Sequence, residues 1–100
     1  MPSSVAQLHQ EAAVEYDAAF DWYRAHSQDA ALKFDFEVER AIAQIVHSPQ
    51  RWPLGLHGTR KFLLSRFPFI LYYRERGIGE IQVVAVAHTS RMPGYWKIRL

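Results

Sequence analysis

The hydrophobic period changes once along the chain, near residue 50, and this constrains the fold more than any other feature. From about His9 to His26 the apolar residues recur at helical spacing. Ala13, Tyr16, Phe20 and Tyr23 form one stripe, which Ala12, Ala19 and Trp22 widen. The acids Glu11, Glu15 and Asp17 fall early in this segment, where a helix N-terminus favours negative charge. Ser27-Gln28-Asp29 interrupts the pattern and offers capping oxygens to a second helix. Its stripe is Ala31, Phe34, Val38, Ala41, Ile42 and Ile45, and Ser48-Pro49 stops it. Two amphipathic helices joined so closely predict an antiparallel hairpin.

After residue 50 the period shortens. Gln50 to Thr59, with Trp52-Pro53, Gly55 and Gly58, reads as a loop. Strands are predicted over Arg60 to Arg66, Phe69 to Arg74 and Ile81 to His88, separated by the Phe67-Pro68 bend and a turn at Gly77-Ile78-Gly79. Short connections imply antiparallel neighbours. Val5 to Leu8 is a further candidate edge strand ahead of the first helix. The expected fold is α+β, an N-terminal helical hairpin packed on a small antiparallel β-sheet, in one domain over residues 1–100.

Strict alternation puts Ile70, Tyr72 and Arg74 on one sheet face, and likewise Val84 and Val86 on one face of the next strand. Both faces of these strands are largely apolar, whereas a sheet covered on one side shows polar residues on the other. Either the terminal segment or a partner chain must therefore cover the second face.

Composition excludes several classes. Apolar residues make up 49% of the chain and charged residues 22%, too apolar for a disordered chain. No apolar run approaches the ~18–20 residues that span a bilayer, so no membrane association is expected. The Met-Pro-Ser-Ser start lacks the basic and apolar blocks of a signal peptide, and a cytoplasmic location is expected. Without cysteine there is no disulfide framework. No His-Glu-x-x-His spacing, nucleophile elbow or glycine-rich phosphate loop occurs, so neither a metal nor a cofactor is expected. Charge is split along the chain: residues 1–50 hold eight acids and three bases, residues 51–100 nine bases and two acids. The basic half suits an acidic partner, or neutralises the acidic half across one surface.

An ordered set of short motifs carries a family likeness. Trp22-Tyr23 precedes Glu37-Val-Glu-Arg-Ala-Ile42, then Pro49-Gln-Arg-Trp-Pro53 and Arg66-Phe-Pro-Phe69. Tyr72-Tyr73-Arg74, Val84-Ala-Val-Ala-His88, Arg91 and Pro93-Gly-Tyr-Trp96 follow. Together they resemble the ParE branch of the RelE/ParE superfamily, the toxins of type II toxin–antitoxin modules, over about Ala6 to Leu100. The resemblance implies a toxin held inactive by a small co-encoded antitoxin, in a hetero-oligomer. The antitoxin would lie on the apolar second face, at Ile70, Tyr72, Arg74, Val84 and Val86.

Two modes of action follow from the resemblance. ParE-like proteins inhibit DNA gyrase by binding it, which requires aromatic and arginine anchors but no chemistry. The candidates are Arg91, Tyr95, Trp96, Lys97 and Arg99, unless Tyr95 and Trp96 instead plug the open sheet face. RelE-like relatives cut messenger RNA in the ribosome, which takes a base, an acid and cations around the phosphate. The nearest set for that chemistry is Arg60, Lys61, Arg66, His88, Arg91 and Tyr95, in a chain with only three lysines. His88 is read as pinning the turn after its strand, Arg66 as a strand cap or a partner contact, and Glu37, Glu39 and Arg40 as a solvated helix face.

Overall fold

The computed structural model describes residues 5–100; the Met-Pro-Ser-Ser start lies outside them. The elements run β1 (Val5–Leu8), α1 (Gln10–His26), α2 (Gln28–His47), β2 (Arg60–Leu63), β3 (Phe69–Gly77) and β4 (Glu80–His88), with 3-10 turns at Leu56–Gly58 and Tyr95–Arg99. The two helices form the expected hairpin. Ser27 both ends α1 and caps α2, its side chain accepting from the Ala30 N–H at 3.2 Å. The Tyr16 hydroxyl donates across the hairpin to the Asp35 carboxylate. No helix among the described residues is long and apolar enough to cross a membrane.

The sheet order is β1-β4-β3-β2. The β2–β3 and β3–β4 pairs are antiparallel, as expected. The sheet as a whole is mixed, because β1 pairs parallel with β4 from Val5↔Glu80 to Leu8↔Val83. Parallel pairing requires a long crossover, and the hairpin, β2 and β3 all lie between the two strands. The predicted first strand of the sheet half is shorter than expected, ending at Leu63 rather than Arg66.

One core fills the space between the hairpin and the sheet. Its centre is Phe34, Val38, Ile45, Leu71, Tyr73, Val83 and Val86. The α2 stripe is buried as predicted: Ala31, Phe34, Val38, Ala41 and Ile45 all face inward. On α1, Trp22 departs from its expected core position and is 58% exposed.

A second core occupies the opposite sheet face. Tyr72, Val84, Ala85 and Ala87 lie under Trp96, whose ring centroid is 4.8 Å from that of Tyr72. The chain's own C-terminal turn thus covers the face that the sequence left open. The membership of that face differs from the alternation expected. The pairing shifts register between Tyr72 and Tyr73, where Tyr72 meets Ala85 but Tyr73 meets Val83. The extra residue, Val84, reverses the parity of everything after it. Val86 therefore enters the helix-side core, and Ala85 and Ala87 take the second face.

Candidate functional site

The C-terminal segment is fastened to the fold by one carboxylate. Glu15, in the second turn of α1, accepts from both terminal nitrogens of Arg99 (Nη1 to Oε1, 2.9 Å; Nη2 to Oε2, 2.8 Å). It also accepts from the Tyr95 hydroxyl at 2.6 Å and from the Val86 N–H at 2.9 Å. Arg99 Nη1 donates as well to the Val84 carbonyl, at 2.9 Å. The reason lies in the sheet. β1 ends opposite Val83, so from Val84 onward β4 has no neighbouring strand on that side. Glu15 takes the Val86 N–H and Arg99 supplies a donor to the Val84 carbonyl, so the ion pair replaces a missing strand. Both side chains are largely buried, at 16% and 11% exposure.

Electrostatics follow from this geometry. Burial alone would raise the Glu15 pKa, and it is the largest single influence. The bonds from Arg99, Tyr95 and Val86, with the Arg99 charge, together outweigh it and hold the carboxyl below its ordinary range. The Tyr95 phenol moves the other way, raised by burial and by its bond to Glu15.

Tyr95 in turn carries Arg91, whose guanidinium carbon lies 3.8 Å from the ring centroid. Arg91 is exposed, and no carboxylate among the described residues pairs with it. Lys97 and Ile98 are exposed beyond it. His88 is occupied locally: its Nδ1 accepts from the Ser90 N–H at 3.0 Å and meets the Ser90 hydroxyl at 2.8 Å. It pins the turn, as the sequence suggested.

Of the five residues expected to meet a target, Arg91, Tyr95 and Lys97 reach the surface. Trp96 is fully buried, and Arg99 is committed to Glu15. The six residues of the nuclease set are not gathered into one cavity. Arg60 and Lys61 line one, Arg66 a second, and His88 and Arg91 a third. Arg60 donates to the Trp52 carbonyl and Arg66 pairs with Glu37.

The residues expected to meet an antitoxin are mostly covered. Tyr72 and Val84 lie beneath Trp96, and Val86 is in the helix-side core. Ile70 is half-buried at the margin, and Arg74 donates to Gln82 Oε1 at 2.9 Å. Glu37 is not solvated. It accepts from the Ser65 and Arg66 N–H groups at 2.5 and 3.1 Å and so holds the β2–β3 loop against α2. Among the described residues no group of acids and histidines could hold a metal ion.

The largest cavity described is an apolar groove of about 550 Å³ between α1 and the ends of β3 and β4. Ala18, Ala19 and Trp22 form one wall, Phe69 and Val86 the other, with His88 and Arg91 at its mouth. Sequence reasoning missed this groove and Glu15. The exposed Trp22 on an otherwise inward stripe is visible only once the helix is placed.

Comparison with known proteins agrees with this architecture. A chain of the chromosomal ParDE toxin–antitoxin system from P. aeruginosa superposes with a TM-score of 0.74 at 23% identity, covering 88% of this chain and 98% of that one. No curated protein matches in sequence. The model of the family described as the ParE toxin of the type II toxin–antitoxin system, parDE, matches residues 6–93. Matched over most of its length, this chain belongs to the ParE toxin family of type II toxin–antitoxin systems.

Proposed function

We propose that this ParE-family toxin acts in the cytoplasm by contact, blocking DNA gyrase through a surface centred on Arg91, Tyr95 and Lys97. The observation that carries the reading is Arg91: an exposed guanidinium stacked on an aromatic ring, without a carboxylate partner among the described residues. Arginine on tyrosine is a common anchor of protein interfaces, pre-oriented and able to form bidentate bonds. One acid–base candidate beside it is engaged elsewhere: the Tyr95 hydroxyl donates to Glu15. A phenol with a raised pKa is a poor general base at neutral pH.

The test uses purified protein in two assays. Inhibition of gyrase supercoiling, with ribosome-bound message left intact, is the expected result. Cleaved message with unimpaired supercoiling would replace this reading with the RelE-like ribosome-dependent endonuclease.

A further inference from the structure

The loop from Leu54 to Thr59 holds an uncommon backbone. His57 lies in the left-handed region at φ 53°, and Gly58 follows it at φ 74°. A side chain disfavours that region, so the surroundings must fix it. The Thr59 N–H and hydroxyl both donate to the Leu56 carbonyl, at 3.0 and 2.6 Å, and the Gly55 N–H donates to the Thr59 carbonyl at 2.7 Å. The His57 ring stands edge-on to Trp96, with centroids 5.7 Å apart. Held in this way, the loop keeps Leu54 and Leu56 out of both cores and leaves them 63% and 52% exposed. With Tyr72 of β3 and Pro93 of the C-terminal segment they line a recess of about 240 Å³. Arg60 and Lys61 line it too, and no carboxylate does.

We propose that this recess is a second anchor point for gyrase, taking one apolar side chain from an acidic surface segment of that protein and a neighbouring carboxylate on Lys61. The inference rests on the target reading above and extends its surface. A fixed apolar recess matches a protein side chain, whereas a nucleic-acid backbone calls for cations alone. Charge selects what surrounds that side chain. From Ala41 to Arg74, and again from Ile81 to Leu100, the sequence holds eight lysines and arginines and no aspartate or glutamate. Every residue lining the recess comes from these two stretches. Lys61 is exposed and pairs with no carboxylate among the described residues. The field over the recess is therefore positive and favours an acidic partner. Position selects gyrase among acidic partners. Pro93 lies two residues from Arg91, with the exposed Met92 between them, so the recess continues the surface on which Arg91 stands.

The experiment measures the toxin concentration that half-inhibits gyrase supercoiling, for wild type, Leu54→Asp, Lys61→Glu and Lys61→Arg, with affinity for the co-encoded antitoxin measured beside it. Leu54 and Lys61 are both exposed, so these variants should melt near the wild-type temperature. Leu54→Asp and Lys61→Glu should each need about tenfold more toxin or worse, while Lys61→Arg stays within about threefold of wild type. All three should bind antitoxin as wild type does. Unchanged inhibition by Leu54→Asp and Lys61→Glu, with wild type active, overturns the recess and leaves the target reading standing. Antitoxin affinity lost in place of gyrase inhibition would assign the recess to the antitoxin, which also overturns it. A DNA duplex retained by wild-type toxin alone and released by Lys61→Glu would assign the surface to DNA, with the same consequence. Wild type that leaves supercoiling untouched removes the target reading itself, and the role of the recess with it.

Discussion

Replacing Glu15 with alanine tests how the C-terminal segment is held. The substitution leaves the Arg99 guanidinium 11% exposed without its carboxylate, and frees the Tyr95 hydroxyl and the Val86 N–H. Each bond to a charged acceptor contributes about 1.5–3 kcal/mol. Summing four such bonds would overstate the loss, because they share one acceptor and are not additive. Removing one partner of a buried ion pair costs about 3–5 kcal/mol, and this is the better guide. That is a large part of the ~5–15 kcal/mol available to a small domain. At roughly 4–8 °C per kcal/mol, the melting temperature should fall by at least about 12 °C. Urea denaturation followed by far-UV circular dichroism measures the change, and native-state hydrogen exchange should show the Val86 amide opening. A loss of less than about 1 kcal/mol, with Val86 still protected, would refute the claim that this ion pair replaces a missing strand.

The same carboxyl sets an acid limit. A depressed native pKa means that the stabilising contribution is present above the ordinary value of 4.5 and is lost as pH falls through the native value. Wild type should therefore lose stability below about pH 4.5 more steeply than Glu15→Gln, as read from urea midpoints across that range. Trp96→Ala should cost about 3–5 kcal/mol, since the ring is fully buried over Tyr72. The indole N–H has no partner among the described residues, so packing carries the loss and Trp96→Phe should recover most of it in the same assay. Ser27→Ala should cost about 1 kcal/mol by removing the cap of α2, measured by the urea midpoint.

What the sequence disclosed is what short-range periodicity encodes. The α2 stripe, the Ser27 cap and the strand segments are local patterns, and they recur in the fold, though β2 stops three residues short at Leu63 and β3 runs three residues further to Gly77. The misreadings share one origin in long-range geometry. A single inserted residue at Val84 reversed strand parity, and no local pattern marks it. That shift moved Val86 to the helix side and, with the Trp96 turn, withdrew the residues assigned to a partner. Glu15 reads locally as an acid placed for the dipole of α1, yet its partner is 84 residues away. Glu37 likewise reads as solvated until the β2–β3 loop is folded against it. The tail could be read as plug or as surface, and it proves to be divided: Trp96 and Arg99 turn inward, Arg91 and Lys97 outward.

The most direct measurement compares wild type with Arg91→Ala in a DNA supercoiling assay with purified gyrase. Arg91 is exposed and pairs with no acid among the described residues, so both proteins should melt within a few degrees of each other. The account predicts that wild type inhibits supercoiling and that the variant is weaker by about tenfold or more, the loss of one interface anchor. Equal inhibition by the two proteins would contradict it.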